Sequence, residues 1–402
     1  MSEPWLTIIG IGEDGLNELS SASRSALDAA DFVFGGPRHL ELANFQDRGQ
    51  PWPVPFSVQP VLEHRGKNTV ILVSGDPFWY GGGASIARHL KPDEWVTHPA
   101  PSCFSQIAAR KGWRIEETLC LGLHAAPFEQ LTRHLGQKRQ VICTLRDGEA
   151  PKDLAKWLTE HGFGQSTLDV IERLGGPLER HRSSPAQGFD LTDIQAPVAI
   201  ALTMQTETQG GFQQAPGRDE DQFAHDGQIT KSPVRAMTIA ALQPRYGDVL
   251  WDLGAGSGSV SIEFLLAAEK SRAVCVEARA DRAANITANA KRFGLSHRMN
   301  IVTGKAIEQI DTLLAGKFGH PDAVFIGGGA RHDLLEALFA KLAPGTRLVI
   351  NAVTLETESL LIEWQARKGG ELLKLELSQA APLGTMRGWD RARPVIQWSV
   401  SL

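Results

Sequence analysis

Short unbroken apolar runs at Trp5–Ile9, Phe32–Phe34 and Thr69–Val73 read as buried strands, because they are too brief for helices and end in turn residues. Those ends are Gly10-Ile11-Gly12-Glu13-Asp14-Gly15, Gly35-Gly36-Pro37 and Ser74-Gly75-Asp76-Pro77. After the first of them Leu16, Leu19 and Ala22, then Ala26 and Ala29, return at helical spacing, and a further helix is predicted at Ala84–Leu90. Strands alternating with helices predict a mainly parallel sheet covered by helices. Beyond Pro99-Ala100-Pro101-Ser102 a second α/β layer is predicted. Its strands are Glu117–Leu121, Gln140–Thr144, Ser166–Ile171 and Val198–Thr203, and its helices Ser105–Lys111 and Pro151–His161.

The pattern lapses between Met204 and Gly227, where Gln205-Thr206-Glu207-Thr208-Gln209-Gly210-Gly211 has the polar, glycine-containing character of a linker. The boundary is placed there, giving domains at 1–205 and 213–402. The second half then alternates strictly: strands Asp248–Leu253, Ala273–Glu277, Asn300–Thr303, Asp322–Ile326 and Arg347–Asn351, and helices Val260–Glu269, Asp281–Phe293 and His332–Leu342. That is a doubly wound, Rossmann-like sheet. Leu372–Leu377 and Pro394–Ser399 are expected as a closing antiparallel edge joined by a long loop.

Composition narrows the class. Hydrophobic residues make up 42% and charged residues 22%, which excludes a disordered or fibrous chain. A net charge of -5 argues against a general nucleic-acid binder. The four cysteines, Cys103, Cys120, Cys143 and Cys275, form no C-x-x-C pair and read as structural thiols. The twelve histidines show no metal-ligand spacing, so no metal is expected. No basic leader with an apolar run and no membrane-length apolar stretch is seen, so a cytoplasmic enzyme without a membrane partner is expected.

The strongest chemical signal is Val249-Leu250-Trp251-Asp252-Leu253-Gly254-Ala255-Gly256-Ser257-Gly258-Ser259-Val260. A buried strand runs through three alternate glycines into a helix. This is not the dinucleotide G-x-G-x-x-G, and it suits S-adenosylmethionine better than NAD. Glu277, at the end of the next strand, is placed to accept the ribose hydroxyls. The strand after that ends at Thr303-Gly304-Lys305-Ala306, where the adenine edge is expected. With the lead-in Asp226-Gly227-Gln228-Ile229-Thr230-Lys231-Ser232-Pro233-Val234-Arg235, the half resembles the C15-methylating, decarboxylating domains of corrin biosynthesis. That resemblance makes Thr230 and Ala306 candidate cofactor contacts beside Asp252, Gly254, Ala255, Gly256, Ser257, Gly258 and Glu277.

In the first half the Gly10–Gly15 loop, Leu72-Val73-Ser74-Gly75-Asp76-Pro77-Phe78-Trp79-Tyr80-Gly81, Pro99–Ser102 and Ile171-Glu172-Arg173-Leu174-Gly175 follow one another as in the tetrapyrrole methylases, which this half resembles. The resemblance implies a two-lobed α/β fold with S-adenosylmethionine in the cleft, held near Gly10, Gly12, Gly75, Asp76, Pro77 and Ser102. The first loop departs from the family's Gly-Pro-Gly-Asp, carrying Glu13-Asp14-Gly15 instead.

The combination resembles the fused C5- and C15-methylating, decarboxylating enzymes of corrin biosynthesis. It implies one S-adenosylmethionine per domain and a polycarboxylated tetrapyrrole substrate, precorrin-6Y. The implied product is precorrin-8X, with C5 methylation in the first domain and C15 methylation with loss of the ring-C acetate CO2 in the second. Self-association is also implied. A tetrapyrrole reductase, a nucleic-acid methyltransferase and a non-catalytic module fit less well. The glycine spacing counts against the first, and Gly327-Gly328-Gly329-Ala330 in place of an Asn-Pro-Pro-Tyr-type motif counts against the second. The third would show degraded glycine loops. Arg331 and His332, beyond that glycine run, and Arg387, in the loop before the last strand, are expected to grip spectator carboxylates.

Overall fold

The computed structural model describes residues 4–207 and 210–402. The chain forms two compact units, 1–128 with 135–211, and 129–134 with 212–402. Thr208 and Gln209, within the expected linker, lie outside the described residues.

The first unit carries two sheets. Strands β1 (Leu6–Ile11), β2 (Phe32–Gly35), β3 (Gln50–Pro51), β4 (Thr69–Ser74) and β5 (Trp95–His98) pair in the order β3-β2-β4-β1-β5, all in parallel. Alternate residues of β1 enter opposite cores: Ile9 and Ile11 pack with Leu27 and Leu40, while Leu6 and Ile8 pack with Phe34 and Ile86. Burial on both faces explains why its sequence is continuously apolar. The expected break at Gly10 is absent. The strand continues to Ile11, because Gly10 lies so close to the next loops that a Cβ there would come within 1.9 Å of the Gly75 carbonyl.

The second sheet joins β6 (Leu119–Gly122), β7 (Gln140–Leu145), β8 (Thr167–Glu172), β9 (Arg180–Pro185) and β10 (Val198–Thr203) in the order β6-β7-β10-β8-β9. Only β6 and β7 are parallel. Strand β9 is polar along most of its length and was hidden from a pattern search for that reason.

The second unit is one seven-stranded sheet and a separate hairpin. The sheet contains β11 (Val249–Leu253), β12 (Arg272–Glu277), β13 (Met299–Thr303), β14 (Ala323–Ile326), β15 (Arg347–Ala352), β16 (Glu371–Leu375) and β19 (Val395–Ser401), ordered β13-β12-β11-β14-β15-β19-β16. The first five are parallel, and β19 enters antiparallel between β15 and β16. The strand order reverses between β11 and β14, the switch point at which such sheets form a crevice. The expected long loop before β19 is instead a hairpin, β17 (Ser378–Leu383) with β18 (Met386–Arg391), paired only with itself. Its alternation is masked because both faces meet water.

The helix Ser259–Ala267 after the glycine loop is buried over Ser259–Leu265, between the sheet and the helix Ala280–Arg292. Helices at Ser232–Leu242, Ala306–Leu314 and Leu355–Lys368 add to those read from the sequence. All four cysteines are free, Cys143 and Cys275 buried and Cys103 and Cys120 half-buried. Among the described residues no helix is long and apolar enough to cross a membrane, and no three metal-ligating side chains gather.

Candidate active sites

Each unit has its own cavity at the carboxyl ends of its parallel strands. In the first unit, pairing of Ile11 with Ser74 sets the loops after β1 and β4 side by side, and Gly75 N–H donates to the Ile11 carbonyl at 3.1 Å. They open on a cavity of about 360 Å³ whose walls include Gly12, Gly75, Asp76 and Ser102. Asp76 Oδ1 accepts the Phe78 N–H at 2.8 Å, which fixes the Gly-Asp-Pro turn. Ser102 caps the helix Cys103–Lys111, accepting from Ser105 N–H at 3.1 Å. Gly10 and Pro77 sit outside the lining; Gly10 lets the backbones close and the Pro77 carbonyl accepts the Gly83 N–H.

Sequence reasoning missed the polar cluster on the same wall. Arg38 donates to Ser74 Oγ at 2.9 Å, Ser74 Oγ lies 2.8 Å from His39 Nε2, and Arg38 pairs with Glu13. Burial, with the Arg38 charge beside it, pushes the His39 imidazole down to about 3, so it is neutral. The available signal was the position of Arg38 and His39 just past the glycine turn that ends β2. Trp52, Trp79, Tyr80 and His124 also line this cavity.

In the second unit Gly254, Gly256 and Gly258 take φ of +80°, +58° and +72°, which few other residues adopt. Gly256 N–H donates to Glu277 Oε2 at 2.8 Å, and Glu277 Oε1 accepts from Arg279 N–H at 3.0 Å. Glu277 therefore ties the glycine loop to the end of β12. Ala255 N–H bonds the Val276 carbonyl at 3.0 Å, and the Ser257 carbonyl accepts from Asn289 at 2.8 Å. Asp252 is wholly buried. Its Oδ2 accepts from Ser261 Oγ at 2.7 Å, while Oδ1 has no partner. Burial pushes its carboxyl up to about 7.

A cavity of about 390 Å³ is lined by Gly254, Glu277, Lys305, Ala306, Gly328 and Arg331, among others. Arg331 also borders a neighbouring cavity of about 520 Å³ with His332, Glu356 and Glu363. His332 Nδ1 accepts the Trp364 indole N–H at 3.2 Å, and Nε2 lies 3.5 Å from Glu363. Of the expected glycine-loop contacts only Gly254 stands on the wall of the cavity of about 390 Å³; Asp252, Ala255, Gly256, Ser257 and Gly258 lie outside its lining, as do Arg387 and Thr230. Arg387 lies in β18 opposite Pro382, not in a loop, and lines none of these cavities. Thr230 lies in a lead-in held by Asp226 to Arg282 at 2.8 Å, and its carbonyl accepts from Arg235; it too is absent from the lining.

Two units, each a methyltransferase-type α/β fold with a glycine-walled cavity, match two family models. Residues 5–189 match the tetrapyrrole (corrin/porphyrin) methylases, and 221–402 the precorrin methyltransferase domain. A precorrin-6Y C(5,15)-methyltransferase [decarboxylating] from Sinorhizobium sp is 42% identical over 98% of this chain and 96% of its own length. The Mycobacterium tuberculosis protein of the same name is 36% identical over 98% of this chain and 99% of its own. The crystallised C-terminal domain of precorrin-6Y C5,15-methyltransferase from Rhodobacter capsulatus is 54% identical, covering 48% of this chain and all of that one, with a TM-score of 0.45. The chain belongs to the decarboxylating precorrin-6Y C(5,15)-methyltransferase family. It is thus a methyltransferase enzyme of the cobalamin pathway, and membership implies S-adenosylmethionine as methyl donor.

The residues fit that donor. Both cavities fall within the ~300–1,000 Å³ range of small-molecule sites. The buried Asp252 Oδ1 lacks a hydrogen-bond donor beside the glycine loop, and Glu277 stands on the cavity wall.

Proposed function

We propose that the chain methylates precorrin-6Y at C5 in its first unit and at C15 in its second, with the ring-C acetate losing its carboxylate as CO2 and keeping its methylene carbon on the ring, giving precorrin-8X, and that each unit binds one S-adenosylmethionine. The observation that carries the reading is the pair of separate cavities, each built by its own glycine turns, in a chain matched end to end by that family.

When bound, S-adenosylmethionine supplies an electrophilic methyl group whose departure needs no acid. The task left to the protein is orientation and exclusion of water. In the second unit Glu277 holds the glycine loop in place and would offer its carboxylate to ribose hydroxyls, Ala306 would meet the adenine, and Asp252, bonded to Ser261, would order the turn from strand to helix around the loop. Thr230 is retained as a contact on closure of the lead-in. In the first unit Gly12, Gly75 and Asp76 present main-chain groups to the donor, and Gly10, Pro77 and Ser102 set the turn and the helix behind them.

Decarboxylation delivers an electron pair to the conjugated macrocycle, and C15 methylation captures it. A cation against the departing carboxylate would stabilise the ground state and oppose this. Arg331, at the rim of two adjoining cavities, is therefore assigned to a spectator carboxylate, with His332 beside it. Arg387 keeps such a role only from the hairpin. A cytoplasmic, self-associating enzyme without nucleic-acid or membrane partners completes the reading.

The test is mass spectrometry of products from the full chain with precorrin-6Y and S-adenosylmethionine. Gain of two methyl groups and loss of one CO2 is expected. Recovery of unmodified substrate, or of methylated product that retains every carboxylate, would refute it.

A further inference from the structure

Beyond the Gly-Asp-Pro turn the chain reads Phe78-Trp79-Tyr80-Gly81. Phe78 packs at 5.3 Å on Trp95, while Trp79 and Tyr80 line the cavity. Tyr80 has φ +58°, a region where a bulky residue is an outlier. Three contacts hold it there. Its hydroxyl donates to the Cys120 carbonyl at 3.1 Å, and its ring sits 5.7 Å from Phe104. The ring also lies across Gly122, where a Cβ would come within 2.7 Å of Cδ1. Gly122 must stay bare for the ring to rest there.

Strained residues persist where their surroundings over-determine them, and they cluster at ligand clamps. Tyr80 is fixed in this way yet remains 51% exposed. Trp79, 37% exposed, stacks at 5.0 Å on the same Phe104. Two open rings thus rest on one buried ring, Trp79 at 29° to Phe104 and Tyr80 at 55°. Arg38 and His124 border the same cavity, Arg38 paired with Glu13.

We propose that Trp79 and Tyr80 are the seat for the planar face of the polycarboxylated tetrapyrrole in the first unit, Tyr80 acting as a substrate-positioning residue. This rests on assigning C5 methylation to that unit. Stacking on an aromatic side chain is strong enough to read in kinetics.

The experiment uses the full chain with precorrin-6Y and S-adenosylmethionine. C5 methylation is followed in Tyr80→Ala, Tyr80→Gly and Tyr80→Phe, with C15 methylation as internal reference and donor affinity measured by calorimetry. Tyr80→Ala and Tyr80→Gly should raise KM for the tetrapyrrole in C5 methylation by at least ~fivefold, with donor affinity and C15 chemistry unchanged. Tyr80→Phe, which keeps the ring but loses the hydroxyl bond to the Cys120 carbonyl, should raise KM less than either. The glycine variant suits the positive φ and preserves the turn should alanine disturb it. An unchanged KM in both, or weakened donor binding in place of a raised KM, overturns the proposal. Wild-type enzyme that leaves C5 bare overturns the parent reading as well, an outcome distinct from wild-type C5 methylation with KM insensitive to Tyr80.

Discussion

Asp252 and Glu277 stand on neighbouring strands of one sheet, yet their environments set different tasks. Glu277 is satisfied by two main-chain N–H groups at the cavity wall. Asp252, beneath the loop, is buried with one oxygen unpartnered and its carboxyl raised to about 7. A carboxyl whose folded pKa lies above its unfolded value of 3.8 favours folding while protonated. That contribution is complete below about pH 4 and is lost as pH rises through about 7. The unfolding free energy of wild type relative to Asp252→Asn should therefore fall by at most about 4 kcal/mol over that window and then level. Urea unfolding of the ligand-free chain at several pH values checks this; a difference flat in pH would contradict it. Glu277→Ala should weaken one of two donor-binding events by roughly 1.5–3 kcal/mol, the range for charge-assisted hydrogen bonds. Calorimetry with both events unchanged would remove Glu277 from the site. Both residues were legible because strand, glycines and helix follow each other within one short stretch. Arg38, His39 and Tyr80 were not, because their roles come from sheet neighbours far away in sequence. Tyr80 leans on Gly122 and Cys120, and Arg38 meets Ser74 only because β2 pairs with β4.

At the level of elements, the segment that leads into the second unit's seven-stranded sheet is anchored by one buried acid. Glu263, on the helix after the glycine loop, accepts from Gly217 N–H at 2.7 Å, Arg218 N–H at 2.9 Å and Arg235 Nε at 3.0 Å. Arg218, Arg235 and Glu263 are all buried, so removing the acid strands two guanidinium groups. Glu263→Ala should cost about 3–5 kcal/mol in the unfolding of the second unit, as for other broken buried pairs. Loss of less than about 1 kcal/mol in denaturant titration would show the cluster to be incidental. Four of the five parallel strands, β11, β12, β14 and β15, were readable because burial on both faces keeps them apolar, while β13 at the edge is only half-buried. The hairpin β17–β18 was not, since Leu383, Met386 and Trp389 are exposed and no inward face marks a strand period. That same fact moves Arg387 from a loop to a strand, outside the cavities that Arg331 borders.

Across the whole molecule, the proposed function requires the two cavities to act independently, one methyl transfer each. Two glycines permit a clean steric test. A Cβ at Gly12 would come within 2.8 Å of Asp14 Oδ1 at the end of that side chain, and one at Gly328 would meet nothing within 4 Å, yet both glycines line their cavities. Gly12→Leu and Gly328→Leu should fill the sites while the fold survives. The most direct measurement is the mass of the product that Gly12→Leu full-length protein makes from precorrin-6Y and S-adenosylmethionine. One methyl gained and one CO2 lost, with C5 unmethylated, is the expected product. A product with two methyl groups, or one methylated only at C5 and retaining its acetate, would contradict it.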